Sequence, residues 1–63
     1  MLKEQAIFRA KIWANDYLIP YAITKRRNGQ YLVMSISWIK DNPSYKYSER
    51  IDFYPINNNN KVD

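Results

Sequence analysis

The chain has 63 residues with ten Lys and Arg against six Asp and Glu, a net charge of +4, and neither Cys nor His. Disulfides are thereby excluded and zinc is deprived of its usual ligands, so a domain of this size, which buries only about 60% of its unfolded surface, must rely on packing or self-association. The charge favours a polyanionic partner, and with no apolar run of membrane-spanning length and no signal-peptide pattern after Met1, a cytoplasmic protein is expected.

Leu2 to Ala14 is rich in helix formers, yet a helical wheel sets Phe8 and Ile12 opposite the side that holds Ala6, Ala10 and Trp13. Strand alternation removes that conflict by placing Phe8, Ala10 and Ile12 inside and Ile7, Arg9, Lys11 and Trp13 outside. A strand over residues 5–14 is therefore expected, followed by a turn at Asn15-Asp16, with a helix as the alternative.

Asn28-Gly29 lies between alternating runs and is a strong two-residue hairpin signal, because a type I′ turn needs positive φ at both central residues. Strands over 17–27 and 30–40 follow, with Arg27 facing Gln30, Arg26 facing Tyr31, Thr24 facing Val33 and Ile23 facing Met34. That register collects Tyr21 and Ile23 with Leu32, Met34 and Ile36 on an inner face, and Thr24 and Arg26 with Tyr31, Val33 and Ser35 on an outer one. Pro20 disturbs the scheme, since it lacks the N–H that a first strand would use.

Asp41-Asn42-Pro43-Ser44 has the composition of a turn, leading to a strand over 45–54 that pairs Trp38 with Tyr47, Met34 with Ile51 and Leu32 with Phe53. Glu49 breaks the inner pattern and is expected to reach a sheet rim or a partner. Pro55 should end the strand. The expected organisation is one β domain over 1–56 and a disordered polar tail over 57–63.

The fold class these elements imply is all-β: a small antiparallel sheet of about four strands, closed as a barrel or packed face to face as a homodimer. The alternative is α+β, an N-terminal helix on a three-stranded sheet. An open sheet alone would leave its apolar face uncovered.

Chemistry is sparse. Asp16, Asp41, Glu49 and Asp52 are scattered rather than paired, and there is no His for general-base work, no Cys nucleophile and no glycine-rich phosphate loop, so neither an enzyme nor a cofactor is expected. Cations interleaved with outward rings suggest instead a nucleic-acid-binding module, with single strands favoured: bases stack on the aromatics while Lys and Arg follow the backbone. The candidate residues are Arg9, Lys11, Trp13, Lys25, Arg26, Arg27, Tyr31, Arg50 and Tyr54. Taken singly, each has an ordinary structural role open to it, Tyr31 and Tyr54 as a cross-strand pair and the cations as a solvated hairpin tip. The alternative function is a small non-catalytic module that binds or inhibits a larger protein, such as a host enzyme, of the kind phages and mobile elements encode.

Overall fold

Residues Lys3–Tyr17 form a helix, α1, in the computed structural model, which describes residues 1–56. The segment contains no Gly or Pro and is dominated by Ala, Lys, Glu, Gln and Arg, which lose little on entering a helix. At its start the Gln5 Oε1 accepts from the Leu2 backbone N–H at 3.3 Å. Leu2 has no side-chain acceptor to reciprocate, so only half of a capping box exists. The helix closes at Leu18, whose φ of 59° is left-handed without the relief a glycine would give, and Pro20 prevents its resumption.

Three strands follow: β1 (Tyr21–Lys25), β2 (Tyr31–Ser35) and β3 (Glu49–Phe53), with a short helix α2 (Ile36–Asp41) between the last two. The fold is α+β, which overturns the all-β barrel or face-to-face dimer and matches the alternative of an N-terminal helix on a three-stranded sheet. The first strand expected over 5–14 is helical because the bulk needed for the core comes from the sheet. α1 contributes Ala6, Ala10 and Ala14, each fully buried, and their small side chains let the helix settle closely onto Ile23 and Tyr31, flanked by Ile7, Tyr21, Val33, Ile51 and Phe53. Ile23, buried at the centre, contributes about 1.5–3 kcal/mol by its removal from water.

The hairpin forms where Asn28-Gly29 places it, but with a different turn. Arg26 N donates to Gln30 O at 2.8 Å and Gly29 N to Arg26 O at 2.9 Å, so Arg27, Asn28 and Gly29 make a three-residue loop. Gly29 has φ 88° while Asn28 does not enter positive φ, which is a type I turn followed by a left-handed glycine rather than a type I′ turn. Asn28 Oδ1 secures it by accepting from Gln30 N at 3.0 Å. The added loop residue shifts the register by one, pairing Thr24 with Leu32 and Ile23 with Val33. Every side chain of β2 consequently changes face: Tyr31, Val33 and Ser35 lie under α1, and Leu32 and Met34 lie on the far side.

β3 also departs from the meander. It pairs with β1, giving the order β2-β1-β3 with Ile23 opposite Ile51 and Lys25 opposite Glu49. The strand expected over 30–40 stops at Ser35, whose Oγ caps α2 by accepting from Trp38 N at 3.1 Å. After the turn that begins at Asn42, the chain crosses the sheet on the face opposite α1. There the Tyr45 hydroxyl meets Thr24 Oγ1 at 2.7 Å, which satisfies a buried hydroxyl at 0% exposure. Pro20 stands outside the ladder, its carbonyl accepting from Ile36 N at 3.2 Å, so its missing N–H is not needed. The tail expected over 57–63 lies outside the described residues.

Candidate nucleic-acid interface

The nine residues singled out from the sequence do not form one platform. Tyr31 is buried under α1, and because β2 and β3 flank β1 rather than each other, Tyr31 and Tyr54 cannot be cross-strand neighbours. Trp13 is half-buried at the edge of the helix–sheet junction, with its ring edge-on to Tyr21 at 5.9 Å between centroids. Arg9 and Lys11 are exposed on α1, and Tyr54 is exposed just past β3.

Arg50 is already engaged. Its guanidinium donates through Nε and Nη2 to the Asp52 carboxylate at 2.7 and 3.2 Å and through Nη1 to the Tyr47 hydroxyl at 3.4 Å. The Asp52 bonds, and after them that to Tyr47, hold its pKa above the ordinary arginine value. Such a side chain is a poor first choice for a phosphate, since it would have to exchange an existing bidentate partner.

Lys25, Arg26 and Arg27 do come together with others. They line an open groove of about 720 Å³ with Lys46, Tyr47 and Ser48. One wall is the end of β1 and the hairpin loop, and the other is the last part of the crossover. Ser48 joins them, its N and Oγ both donating to Lys25 O at 2.8 and 3.2 Å. Lys46 and Tyr47 were missed in the sequence because a paired strand over 45–54 turned Tyr47 inward against Trp38. No local pattern marks them: Tyr45 goes to the sheet, whereas its two successors Lys46 and Tyr47 both line the groove.

At the same end of the sheet Lys25 lies in register between Tyr31 and Glu49. Glu49 accepts from Lys3 Nζ at 3.0 Å and from the Tyr31 hydroxyl at 2.9 Å. Those two bonds, Lys3 first, hold its carboxyl below the usual range, and the Lys3 ammonium is raised in return. Burial, and then the bond to Glu49, raises the Tyr31 phenol. Glu49 therefore satisfies Lys3, while Lys25, 6.0 Å from the Tyr31 ring centroid, has no ion pair of its own among the described residues. The rim or partner expected for Glu49 is the first turn of α1.

No protein-family model, curated protein or solved structure matches the chain. Among the described residues no helix is long and apolar enough to cross a membrane, and no three acidic side chains cluster where they could hold a metal ion.

Proposed function

We propose that the protein is a cytoplasmic nucleic-acid-binding module that takes a single strand in the groove between the β1–β2 hairpin and residues 46–48. Lys25, Arg26, Arg27 and Lys46 would hold successive phosphates, and Tyr47 would offer its ring to a base. The observation that supports this reading is a contrast among the cations. Lys3 and Arg50 are neutralised by Glu49 and Asp52, and of the cations that make no ion pair among the described residues, Lys25, Arg26, Arg27 and Lys46 converge on this one groove while Arg9, Lys11 and Lys40 lie apart from it. Unpaired charges of one sign around a concave surface raise the local concentration of anions, and phosphate spacing along a strand suits cations distributed along a groove better than a single charged point. An exposed aromatic ring beside them is the feature that adds base stacking to backbone binding.

The test is a titration of a fluorescent single-stranded oligonucleotide at two salt concentrations with the wild-type protein and with Lys25, Arg26 and Arg27 all changed to Ser. Each phosphate contact on a single strand contributes about 0.7 to the slope of log affinity against log salt. The triple variant should bind more weakly and lose roughly 2 from that slope. Wild-type binding that is absent or indifferent to salt would reject the nucleic-acid reading and favour the protein-binding alternative.

A further inference from the structure

The helix α1 has a second apolar side. Phe8 and Ile12 lie about 180° around the helix from Ala10, at 100° per residue, and are 65% and 39% exposed. The sheet occupies the alanine side, and among the described residues these two side chains lie outside the core. They fall on a heptad seam in which Gln5 and Ile12 take the a positions and Phe8 and Asn15 the d positions. Beside the seam, Met1, Phe8, Ile12 and Trp13 line an open groove of about 580 Å³ that side chains of a partner could enter.

The residues bordering the seam identify the partner. Glu4 and Lys11 stand at the g positions, and Arg9 and Asp16 at the e positions, each exposed. In a parallel helix pair a g residue faces the e residue five places further along the other helix, and the signs of such pairs set partner and orientation. Glu4 then faces Arg9 of a second copy and Lys11 faces Asp16 of that copy, with both pairings repeated by symmetry. All of these contacts join opposite charges. An antiparallel pair with Phe8 against Ile12 instead brings Lys11 towards Lys11 and Arg9 towards Arg9.

We propose that this side of α1 is a self-association surface on which a second copy of the chain docks with its helix parallel. The seam matches like with like at every level, Phe8 on Phe8, Ile12 on Ile12, and Gln5 on Gln5. It ends at Asn15, whose Oδ1 accepts from Ile56 N at 2.7 Å. Both sheets lie outside the helix pair, where they do not obstruct it. The first turn of α1 is tied to the hairpin end of the sheet by Lys3–Glu49 and by the bond from Tyr31 N to Met1 O at 3.2 Å. Parallel docking therefore sets both hairpins at one end of the dimer. Two heptads make a small interface, below the roughly 1,200–2,000 Å² of stable complexes, so a weak, concentration-dependent dimer is expected. Self-association of this kind requires no nucleic acid.

Sedimentation velocity of the full chain without nucleic acid, from about 1 to about 500 micromolar, tests it. A concentration-dependent dimer is expected. Phe8→Glu should weaken it at least about tenfold with an unchanged far-UV spectrum, because Phe8 lies outside the helix–sheet core. Glu4→Lys should weaken it several-fold, and combining it with Arg9→Glu should restore it. Gln5→Cys supplies a single thiol that should form a disulfide-linked dimer under mild oxidation if the helices run parallel, since Gln5 meets itself only in that orientation. A chain that stays monomeric throughout, a dimer insensitive to Phe8→Glu, or one that persists while Gln5→Cys fails to cross-link would overturn the proposal.

Discussion

The Tyr31 hydroxyl reaches across the central strand to donate to Glu49 Oε1 at 2.9 Å, joining the two outer strands over Lys25. Glu49 also takes Lys3 at 3.0 Å, so one carboxylate links β2, β3 and the start of α1. This small network fixes the end of the sheet from which the cationic hairpin projects. Lys25, opposite Glu49 in the ladder, acts on that carboxylate only at longer range and makes no ion pair with it among the described residues.

Stability should therefore depend on pH at both extremes. The Glu49 pKa is lowered in the fold from an ordinary 4.5. A lowered carboxyl stabilises the folded state above its unfolded pKa and loses that contribution as pH falls through the folded value. Lys3 and Tyr31 are raised from 10.5 and 10.0, so theirs is complete below those values and fades as pH climbs through the folded pKa. Thermal midpoints should form a plateau between these limits and decline in acid and in alkali. Glu49→Gln should flatten the acid decline while lowering the plateau. An acid decline equally steep in Glu49→Gln would show that other carboxylates govern it.

The alanine side of α1 should tolerate little. Ala10 is completely buried against the sheet, and Ala10→Leu adds three carbons where the backbones approach, at a cost of about 1–3 kcal/mol or more. Phe8→Leu, on the outward side, should stay within about 0.5 kcal/mol. Urea titrations of the two variants at low protein concentration make the comparison. Similar midpoints would mean that α1 is not held through its alanines.

Those same alanines explain what the sequence revealed and what it hid. Helix propensity over residues 2–14 is plain, but the bulky Phe8 and Ile12 fall opposite the alanines, a pattern that strand alternation fits as well. Most of the large core side chains, among them Tyr21, Ile23, Tyr31 and Phe53, come from strands, with Ile7 of α1 packed beside them. The hairpin was legible from Asn28-Gly29 because glycine chemistry is local. Its register was not, since a two-residue and a three-residue loop both fit those two residues, and that single residue decides whether Tyr31 is a ligand platform or a core ring. The strand order was hidden for a different reason: β3 joins β1 through pairings such as Lys25 with Glu49 and Ile23 with Ile51, 24 and 28 positions apart, and no local pattern records such a pairing. Of the candidate site, Lys25, Arg26 and Arg27 were visible as a charge run, whereas Lys46 and Tyr47 joined them only once the crossover was known.

The Thr24–Tyr45 hydrogen bond should anchor that crossover. Tyr45→Phe leaves the Thr24 hydroxyl buried without its oxygen partner, and a stranded polar group of this kind costs about 1–3 kcal/mol. Adding Thr24→Val removes the stranded group and should recover most of the loss, because two apolar partners of similar shape can be nearly neutral. Chemical denaturation of the wild type, both single variants and the double variant gives the coupling. Strict additivity would mean that the two hydroxyls are not coupled in the folded protein.

Tyr47 offers the sharpest test of how the groove is used. The residue is 39% exposed, its ring packs against Tyr45 with centroids 5.8 Å apart, and it touches both the groove and, through its hydroxyl, Arg50. If a base stacks there, Tyr47→Ala should weaken single-strand binding by about 1–3 kcal/mol, with little dependence on sequence and little change in salt slope. Lys46→Ser should do the opposite, lowering the slope by about 0.7 and affinity only in proportion. Tyr47→Phe serves as the control for the hydroxyl, because it keeps the ring and releases only the contact to Arg50. Tyr54, equally aromatic and more exposed at 65% but outside the groove, should be replaceable by Ala without effect. Oligonucleotide titrations of these four variants at low and high salt separate stacking from phosphate binding. Equal losses from Tyr47→Ala and Tyr54→Ala would move the binding surface away from the groove, and loss in Tyr47→Phe as large as in Tyr47→Ala would assign the role to the hydroxyl and its hold on Arg50 rather than to the ring.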